Sequence, residues 1–173
     1  SLQDRFLFLQ HPPTFCYLVA SLFFLFGEGL FVGRLISTIF SVLILIWVYW
    51  IAEEFGDKKT AIFVTCVLAI NPAFLYYSHS VYMEVPQAFF NLMSLSFFLK
   101  AEKSGRLKFF WLSGLFLGFS LITKYLSLVL LLFFIFWFVI KYQFNFLSRK
   151  EIYIFTLPVM GCLLIWFIFG YTL

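Results

Sequence analysis

Charged residues are scarce in this sequence of 173 residues, where Asp, Glu, Lys and Arg together make up 12%. A typical soluble domain carries about twice that share of charge, whereas 64% of the residues here are hydrophobic. The scarcity of charge therefore excludes an ordinary soluble domain and indicates a membrane protein. In such a protein, the net charge of +4 reflects loops beside a membrane and gives no reason to expect a nucleic acid partner.

Cysteine is also rare, and the enzyme motifs that are easiest to recognise are missing. Cys16, Cys66 and Cys162 lie far apart in apolar runs without a CxxC spacing, so we predict buried thiols with no disulfide or metal role. The sequence contains no Gly-rich phosphate loop, GxSxG elbow or HExxH pair, which excludes the soluble enzyme classes built on them. The sequence assigns no definite cofactor.

Long apolar runs separate the few charges. A helix needs about 20 residues to cross the hydrocarbon layer, and fewer when its charged ends reach the headgroups. Residues 109–140 are too many for one crossing, so we place a hairpin near Lys124. The predicted fold is all-α, a polytopic membrane helix bundle of about six transmembrane helices and one interfacial N-terminal helix. The six predicted spans are residues 35–52, 60–83, 85–99, 109–123, 125–140 and 152–173.

The interfacial helix is predicted at residues 14–26, a run too short for a full crossing, with Gly27 as its stop. Residues 1–33 then form an outer loop with this helix, and residues 34–173 form the transmembrane part of one membrane domain. The sequence begins with no apolar run ahead of this segment. We therefore expect a first transmembrane helix to precede it.

The basic residues predict the orientation in the membrane. Nine of the twelve lie in three connections that share one side if every run crosses once, and the positive-inside rule makes that side cytoplasmic. The polar residues that could take part in catalysis or binding then lie on the outer or lumenal side. The nine are Lys58, Lys59, Lys100, Lys103, Arg106, Lys108, Lys141, Arg149 and Lys150.

Five polar residues on the predicted outer side are candidates for a site. Glu84 is either a charge at the positive end of a helix or a carboxylate facing a cavity. Lys124 is either a lysine snorkelling from a turn or a cation that pairs with Glu84 or a lipid phosphate. Arg34 is either an interfacial anchor or a further phosphate ligand. His11 and His79 suit contacts with lipid headgroups. Together with Glu84 they are residue types that bind divalent metals, so a metal site remains an alternative on ligand type alone.

Several short segments, in order, resemble membrane glycosyltransferases of the GT-C type, the relatives of protein O-mannosyltransferases and lipid A aminoarabinose transferases. Each segment is weak alone, but their order and spacing together are specific. The segments are HPP at residues 11–13, FGEGLFVGRL at 26–35, NPAFLYYS at 71–78, the acidic position Glu84, and the pair Thr123 and Lys124.

The resemblance implies an enzyme that takes a sugar from a polyprenyl-phosphate donor and passes it to a lipid, glycan or protein acceptor. It implies an integral protein of a plasma membrane or endoplasmic reticulum, with its site on the outer or lumenal face. His11, Arg34, His79 and Lys124 become candidates for substrate binding, and Glu84 for a supporting catalytic role. Such families carry their acidic base upstream of HPP, so we expect this chain alone not to transfer sugar.

Two other classes stay open on the sequence alone. One is a transporter or channel-like subunit that uses Glu84 and Lys124 as a substrate or ion pair inside the bundle. The other is a non-catalytic membrane scaffold. An acidic pair in an outer loop upstream of the present sequence would favour the enzyme.

Cysteine labelling tests the predicted orientation. Single cysteines placed in a variant lacking the three native ones should react from the cytoplasm at the basic connections and from outside at the candidate residues. Reaction of the position beside His11 from inside would contradict the interfacial helix. The cytoplasmic positions are beside Lys58, Arg106 and Lys150, and the outer ones are beside His11, His79 and Tyr125.

Overall fold

The structure, a computed structural model, describes residues 14–143 and 148–172, the last four of these by backbone alone. These residues form helices and no strand, which confirms the all-α prediction. A short 3-10 turn, Tyr125–Ser127, precedes α7. The helices are α1 Thr14–Phe26, α2 Leu30–Phe55, α3 Lys58–Ala69, α4 Pro72–Ser78, α5 Glu84–Ser104, α6 Leu107–Leu121, α7 Leu128–Tyr142 and α8 Lys150–Thr172.

Three helical segments in the described part of the chain are long and apolar enough to cross a membrane: Leu30–Phe55, Tyr125–Tyr142 and Lys150–Ile168. Helices α3 and α4 together make a fourth if the bent pair is one span. The other two predicted spans lie in α5, which begins with Glu84, and in α6, which has 15 residues. A membrane helical protein is confirmed, and the count of six crossings stays a prediction.

The predicted span at residues 60–83 is not one continuous helix. It divides into α3 and α4, whose axes bend by 67° at the break. Asn71 caps α4, because its Oδ1 accepts a hydrogen bond of 3.1 Å from Phe74 N. Pro72 lacks an amide hydrogen and therefore begins α4 instead of extending α3. The Asn-Pro pair was the sequence signal for this break.

Three local predictions are confirmed. Helix α1 has the predicted bounds and ends at Gly27, whose φ of +84° is a left-handed conformation that glycine adopts without strain. The hairpin turns near Lys124, between the end of α6 and the 3-10 turn. Helix α5 begins at Glu84. The location of α1 along the membrane face stays a prediction.

The described residues divide into two compact units. The first unit is Phe15–Phe89, in which α2 packs against both α3 and α4. The second unit holds Thr14 and the described residues from Phe90 onward, and here the main packing is of α6 along α8.

Aromatic rings fill the core of the second unit. The Phe98 ring of α5 stacks on Phe134 with centroids 4.4 Å apart. Its edge contacts include Phe110, Phe138 and Phe155, with centroid distances of 5.9 Å, 5.4 Å and 6.2 Å. These rings come from α6, α7 and α8, so one side chain of α5 joins four helices. Such offset and edge arrangements add attraction beyond the burial of area.

Helices α6 and α8 approach too closely for side chains at two glycines of α6. A Cβ built on Gly114 would lie 2.0 Å from the carbonyl oxygen of Phe155, and one on Gly118 would lie 2.8 Å from Cys162 Sγ. Small residues four positions apart are a common way for membrane helices to bring their backbones together. Gly114 and Gly118 were not singled out from the sequence.

The prediction that all three cysteines are buried is wrong for two of them. Cys162 is buried, whereas Cys16 and Cys66 are exposed, and all three are free thiols. An apolar run in a membrane helix turns part of its surface toward lipid, so an apolar sequence neighbourhood does not require burial inside the protein.

Replacing Gly114 by alanine should destabilise the second unit. Because the new Cβ would collide with backbone, α6 and α8 would have to separate, and we expect the free energy of unfolding to fall by about 2 to 3 kcal/mol. Thermal unfolding in detergent, followed by circular dichroism, measures the change. The matched control is Gly161→Ala in α8, where a Cβ would meet nothing within 4 Å. Equal stability of the two variants would contradict the close approach.

Candidate functional site

Four of the five predicted site residues lie in the described part of the chain, and His11 lies outside it. Arg34, His79 and Glu84 belong to the first unit, and Lys124 belongs to the second. The predicted pairing of Glu84 with Lys124 stays a prediction.

Within the first unit, the backbones at Arg34 and His79 lie close together. Thr38 Oγ1 is 3.1 Å from the carbonyl oxygen of Arg34 and 3.1 Å from that of Ser78, the residue before His79. One hydroxyl thus joins the first turns of α2 to the C-terminus of α4. The side chains of Arg34 and His79 are both exposed, so an external anion can reach either.

The ring orientation of His79 fixes which nitrogen carries hydrogen. Nδ1 is 2.9 Å from the carbonyl oxygen of Leu75 and 2.8 Å from Ser78 Oγ. A carbonyl oxygen only accepts, so Nδ1 must be the donor. The neutral ring therefore keeps Nε2 as its acceptor, and the protonated ring donates from Nε2 as well. His79 can accept from a hydroxyl in one state and bind an oxyanion in the other.

Three exposed tyrosines stand beside the start of α5. Their ring centroids are 5.4 Å apart for Tyr76 and Tyr77, 5.7 Å for Tyr77 and Tyr82, and 6.2 Å for Tyr76 and Tyr82. A hydrogen bond to Tyr76 raises the pKa of Tyr82, and the negative charge of Glu84 contributes to the same shift. Glu84 is therefore near these phenols. Tyr76, Tyr77 and Tyr82, here called the tyrosine group, offer hydroxyls and ring faces beside the start of α5.

Glu84 occupies the first turn of α5, where a negative charge is favoured by the helix dipole. Its side chain is half-buried, and its Oε2 atom is buried. The role of a helix-end charge thus fits the structure. Partial burial also restricts the movement of the carboxylate, which would suit a binding role as well.

Lys124 lies in the turn between α6 and α7. Its backbone is extended, with φ of −158° and ψ of 135°, and its N donates to the carbonyl oxygen of Ser120 at 2.9 Å. The residue is half-buried and directly precedes the helical segment Tyr125–Tyr142. A cation at the positive end of a helix is electrostatically unfavourable. The same arrangement attracts anions, because lysine and helix terminus act on them together.

The structure adds a buried polar layer around this turn that the sequence reasoning missed. Ser120 Oγ donates to Asn91 Oδ1 at 2.8 Å and lies 2.6 Å from Ser127 Oγ. Thr123, also buried, donates to the carbonyl oxygen of Phe119 at 2.7 Å. The available signal was the presence of small polar residues within apolar runs on both sides of Lys124.

Among residues 14–143 and 148–172, no group of three or more His, Cys, Asp or Glu side chains is arranged to hold a metal ion. A site that includes His11 falls outside these residues. The divalent metal considered from ligand type therefore gains no support from the residues described.

The fold defines the class of the protein: it is an all-helical membrane protein with polar groups at its helix ends. The family of dolichyl-phosphate-mannose-protein mannosyltransferases matches this chain over residues 10–169, and the chain belongs to that family. It is thus an integral membrane glycosyltransferase of mannosyltransferase-like kind, and the GT-C resemblance of the sequence is confirmed. No curated protein and no solved structure matches the chain.

The tyrosine group provides a pH test of the first unit. Tyr76→Phe removes the hydrogen bond that favours the neutral Tyr82 phenol, so the pKa of Tyr82 should fall toward its ordinary value. Because that pKa is raised in the fold, its contribution to stability is present below the ordinary tyrosine pKa and is lost as the pH rises through the raised one.

Tyrosinate absorbance during alkaline titration measures this change, with Tyr82→Phe subtracted to isolate Tyr82. The control is Tyr17→Phe, which removes a hydroxyl elsewhere in the same unit. An unchanged Tyr82 titration in Tyr76→Phe would contradict the hydrogen bond.

Proposed function

We propose that this glycosyltransferase takes its sugar from a polyprenyl-phosphate donor and passes it to a lipid, glycan or protein acceptor at the outer or lumenal face of the membrane. The observation that carries the proposal is the half-buried Lys124 at the start of a helical segment. The name of the family to which the chain belongs includes a dolichyl-phosphate sugar. Both features suit a phosphate attached to a lipid.

The reaction sets the chemical demands on the site. An acceptor oxygen attacks the anomeric carbon of the sugar, and the bond from that carbon to the phosphate oxygen breaks. The electron pair leaves with the phosphate, and a base takes the acceptor proton. Negative charge grows on the departing phosphate, so cations held in place before the reaction stabilise the transition state.

Lys124 is the residue that we assign to this phosphate. Its ammonium group and the N-terminus of the following helix both favour an anion. Partial burial lowers the local dielectric, which strengthens the attraction relative to that in water. The polyprenyl tail then remains in lipid while the charged head reaches the interface.

Three residues of the first unit are assigned separately, each from its own surroundings. Arg34 and His79 are exposed at one end of α2, where both can contact charged or hydroxyl groups of substrates. Glu84, near the tyrosine hydroxyls, is assigned a supporting role in orienting an acceptor or a cationic partner. His11 is assigned to substrate binding by its place in the HPP segment, and the catalytic base is expected upstream of that segment.

The assignment to the outer or lumenal face rests on charge. Nine basic residues fall in the three connections assigned to the cytoplasm, and the candidate residues fall in the others. A plasma membrane and an endoplasmic reticulum both place such a site away from the cytoplasm.

Membership of an enzyme family favours this proposal over a transporter or a scaffold. The bent pair α3 and α4 is a feature that transporters also use, since interrupted helices build their binding sites. Movement of a labelled polyprenyl-phosphate sugar across a vesicle without sugar transfer would favour the transporter.

Lys124→Ala should weaken binding of a polyprenyl phosphate by about 10-fold to 100-fold, the effect of losing one charge-assisted contact. Titration of the lipid into the protein in detergent, followed by intrinsic fluorescence, measures the dissociation constant. Lys124→Arg should retain part of the affinity, because the charge is kept.

The matched control is Lys103→Ala, which removes an exposed lysine of the same unit from a connection assigned to the cytoplasm. Equal affinities of the Lys124→Ala and Lys103→Ala variants would remove Lys124 from the donor site.

A further inference from the structure

We propose that Asn91, Ser120 and Ser127 are positioning residues for Lys124, joined in a directional chain of hydrogen bonds that fixes the turn between α6 and α7. The inference rests on the proposed role of Lys124 in binding phosphate. It adds three residues that no sequence motif indicated, all of them in the second unit.

The direction of the chain follows from donor and acceptor chemistry. Asn91 Oδ1 can only accept, so the single hydroxyl hydrogen of Ser120 is committed to it at 2.8 Å. Ser127 Oγ lies 2.6 Å from Ser120 Oγ and must therefore donate to it. The hydrogen bonds run from Ser127 through Ser120 to Asn91, and reversing any of them would leave the Asn91 carbonyl facing another acceptor.

This chain encloses Lys124 between two of its members. Ser120 lies in the last turn of α6, one turn before Lys124, and its carbonyl oxygen accepts from Thr123 N at 3.1 Å and from Lys124 N at 2.9 Å. On the other side, Ser127 N donates to the carbonyl oxygen of Lys124 at 3.3 Å. The residue that binds Asn91 through its side chain therefore also holds the Lys124 amide through its backbone.

Burial makes the chain rigid. Ser120 and Ser127 are 0% and 1% exposed, so neither hydroxyl can exchange its partner for bulk water. Removing one hydroxyl would take away a hydrogen bond between groups that are shielded from water, and such a bond is costly to lose. Thr14 also contacts this turn, since its Oγ1 donates a hydrogen bond of 2.6 Å to the carbonyl oxygen of Ile122.

A second pair of buried serines also forms hydrogen bonds between α5 and α6, but away from the candidate site residues. Ser94 Oγ donates to the carbonyl oxygen of Ser113 at 2.9 Å, and Ser113 Oγ donates to that of Ser94 at 2.8 Å. Ser113 lies about 10 Å along α6 from Ser120. This pair joins α5 to α6 without bonding the turn, so it is a matched control for the loss of a buried hydroxyl.

The test compares Ser120→Ala with Ser94→Ala in the same chain. Hydrogen exchange by mass spectrometry reports the amides of residues 119–128, and titration with a polyprenyl phosphate reports binding. Ser120→Ala should speed exchange in this turn and weaken binding about tenfold, corresponding to the loss of about one buried hydrogen bond. Ser94→Ala should lower the thermal stability similarly but leave turn exchange and binding unchanged. Ser120→Thr, which keeps the hydroxyl, should restore both.

The results separate the positioning role from the proposed function. Equal effects of Ser120→Ala and Ser94→Ala on turn exchange would overturn the positioning role. Faster turn exchange in Ser120→Ala with unchanged binding, where Lys124→Ala does weaken binding, would show that the hydroxyl only holds the turn and would also overturn the positioning role. Unchanged binding in Lys124→Ala would reject the phosphate site independently, since that variant keeps the serine chain intact.

Discussion

The close approach of α6 and α8 at Gly114 and Gly118 is the constraint on which the second unit depends. Between membrane helices, burying apolar side chains gains little, because lipid is as apolar as the side chains themselves. Association must therefore come from close packing and hydrogen bonds. The glycines bring a backbone within reach of α8, and Phe98 can then meet rings from three neighbouring helices. Separation of α6 from α8 would loosen that ring cluster.

Hydroxyl groups serve two purposes in this framework. The reciprocal pair of Ser94 and Ser113 joins two helices, with both oxygens satisfied by backbone. The chain through Ser120 instead ends at a turn that carries a half-buried lysine. Polar groups inside a membrane protein are costly to bury and are therefore informative about function. The same residue type is thus used once for helix packing and once beside a candidate site.

The family segments from residue 26 onward coincide with places where the chain changes direction. FGEGLFVGRL contains the end of α1 and the start of α2, and NPAFLYYS contains the cap and all of α4. The pair Thr123 and Lys124 lies in the turn before α7. A membrane enzyme has its polar chemistry where helices end, since a helix crossing lipid satisfies its own backbone and exposes mainly apolar side chains. Membership of the mannosyltransferase family accords with this placement.

The sequence alone determined the features that depend on neighbouring residues: the all-α membrane class, the bounds of α1, the start of α5 at Glu84 and the turn at Lys124. Length, charge spacing, glycine and proline decide these locally. Tertiary structure decided which residues meet across the chain. The contact of Gly114 with Phe155, the partners of Ser120 and the exposure of Cys16 are of this kind. They arise from the packing of residues distant in sequence, because each depends on which face of a helix another helix covers, and hydropathy does not distinguish a face covered by protein from one covered by lipid.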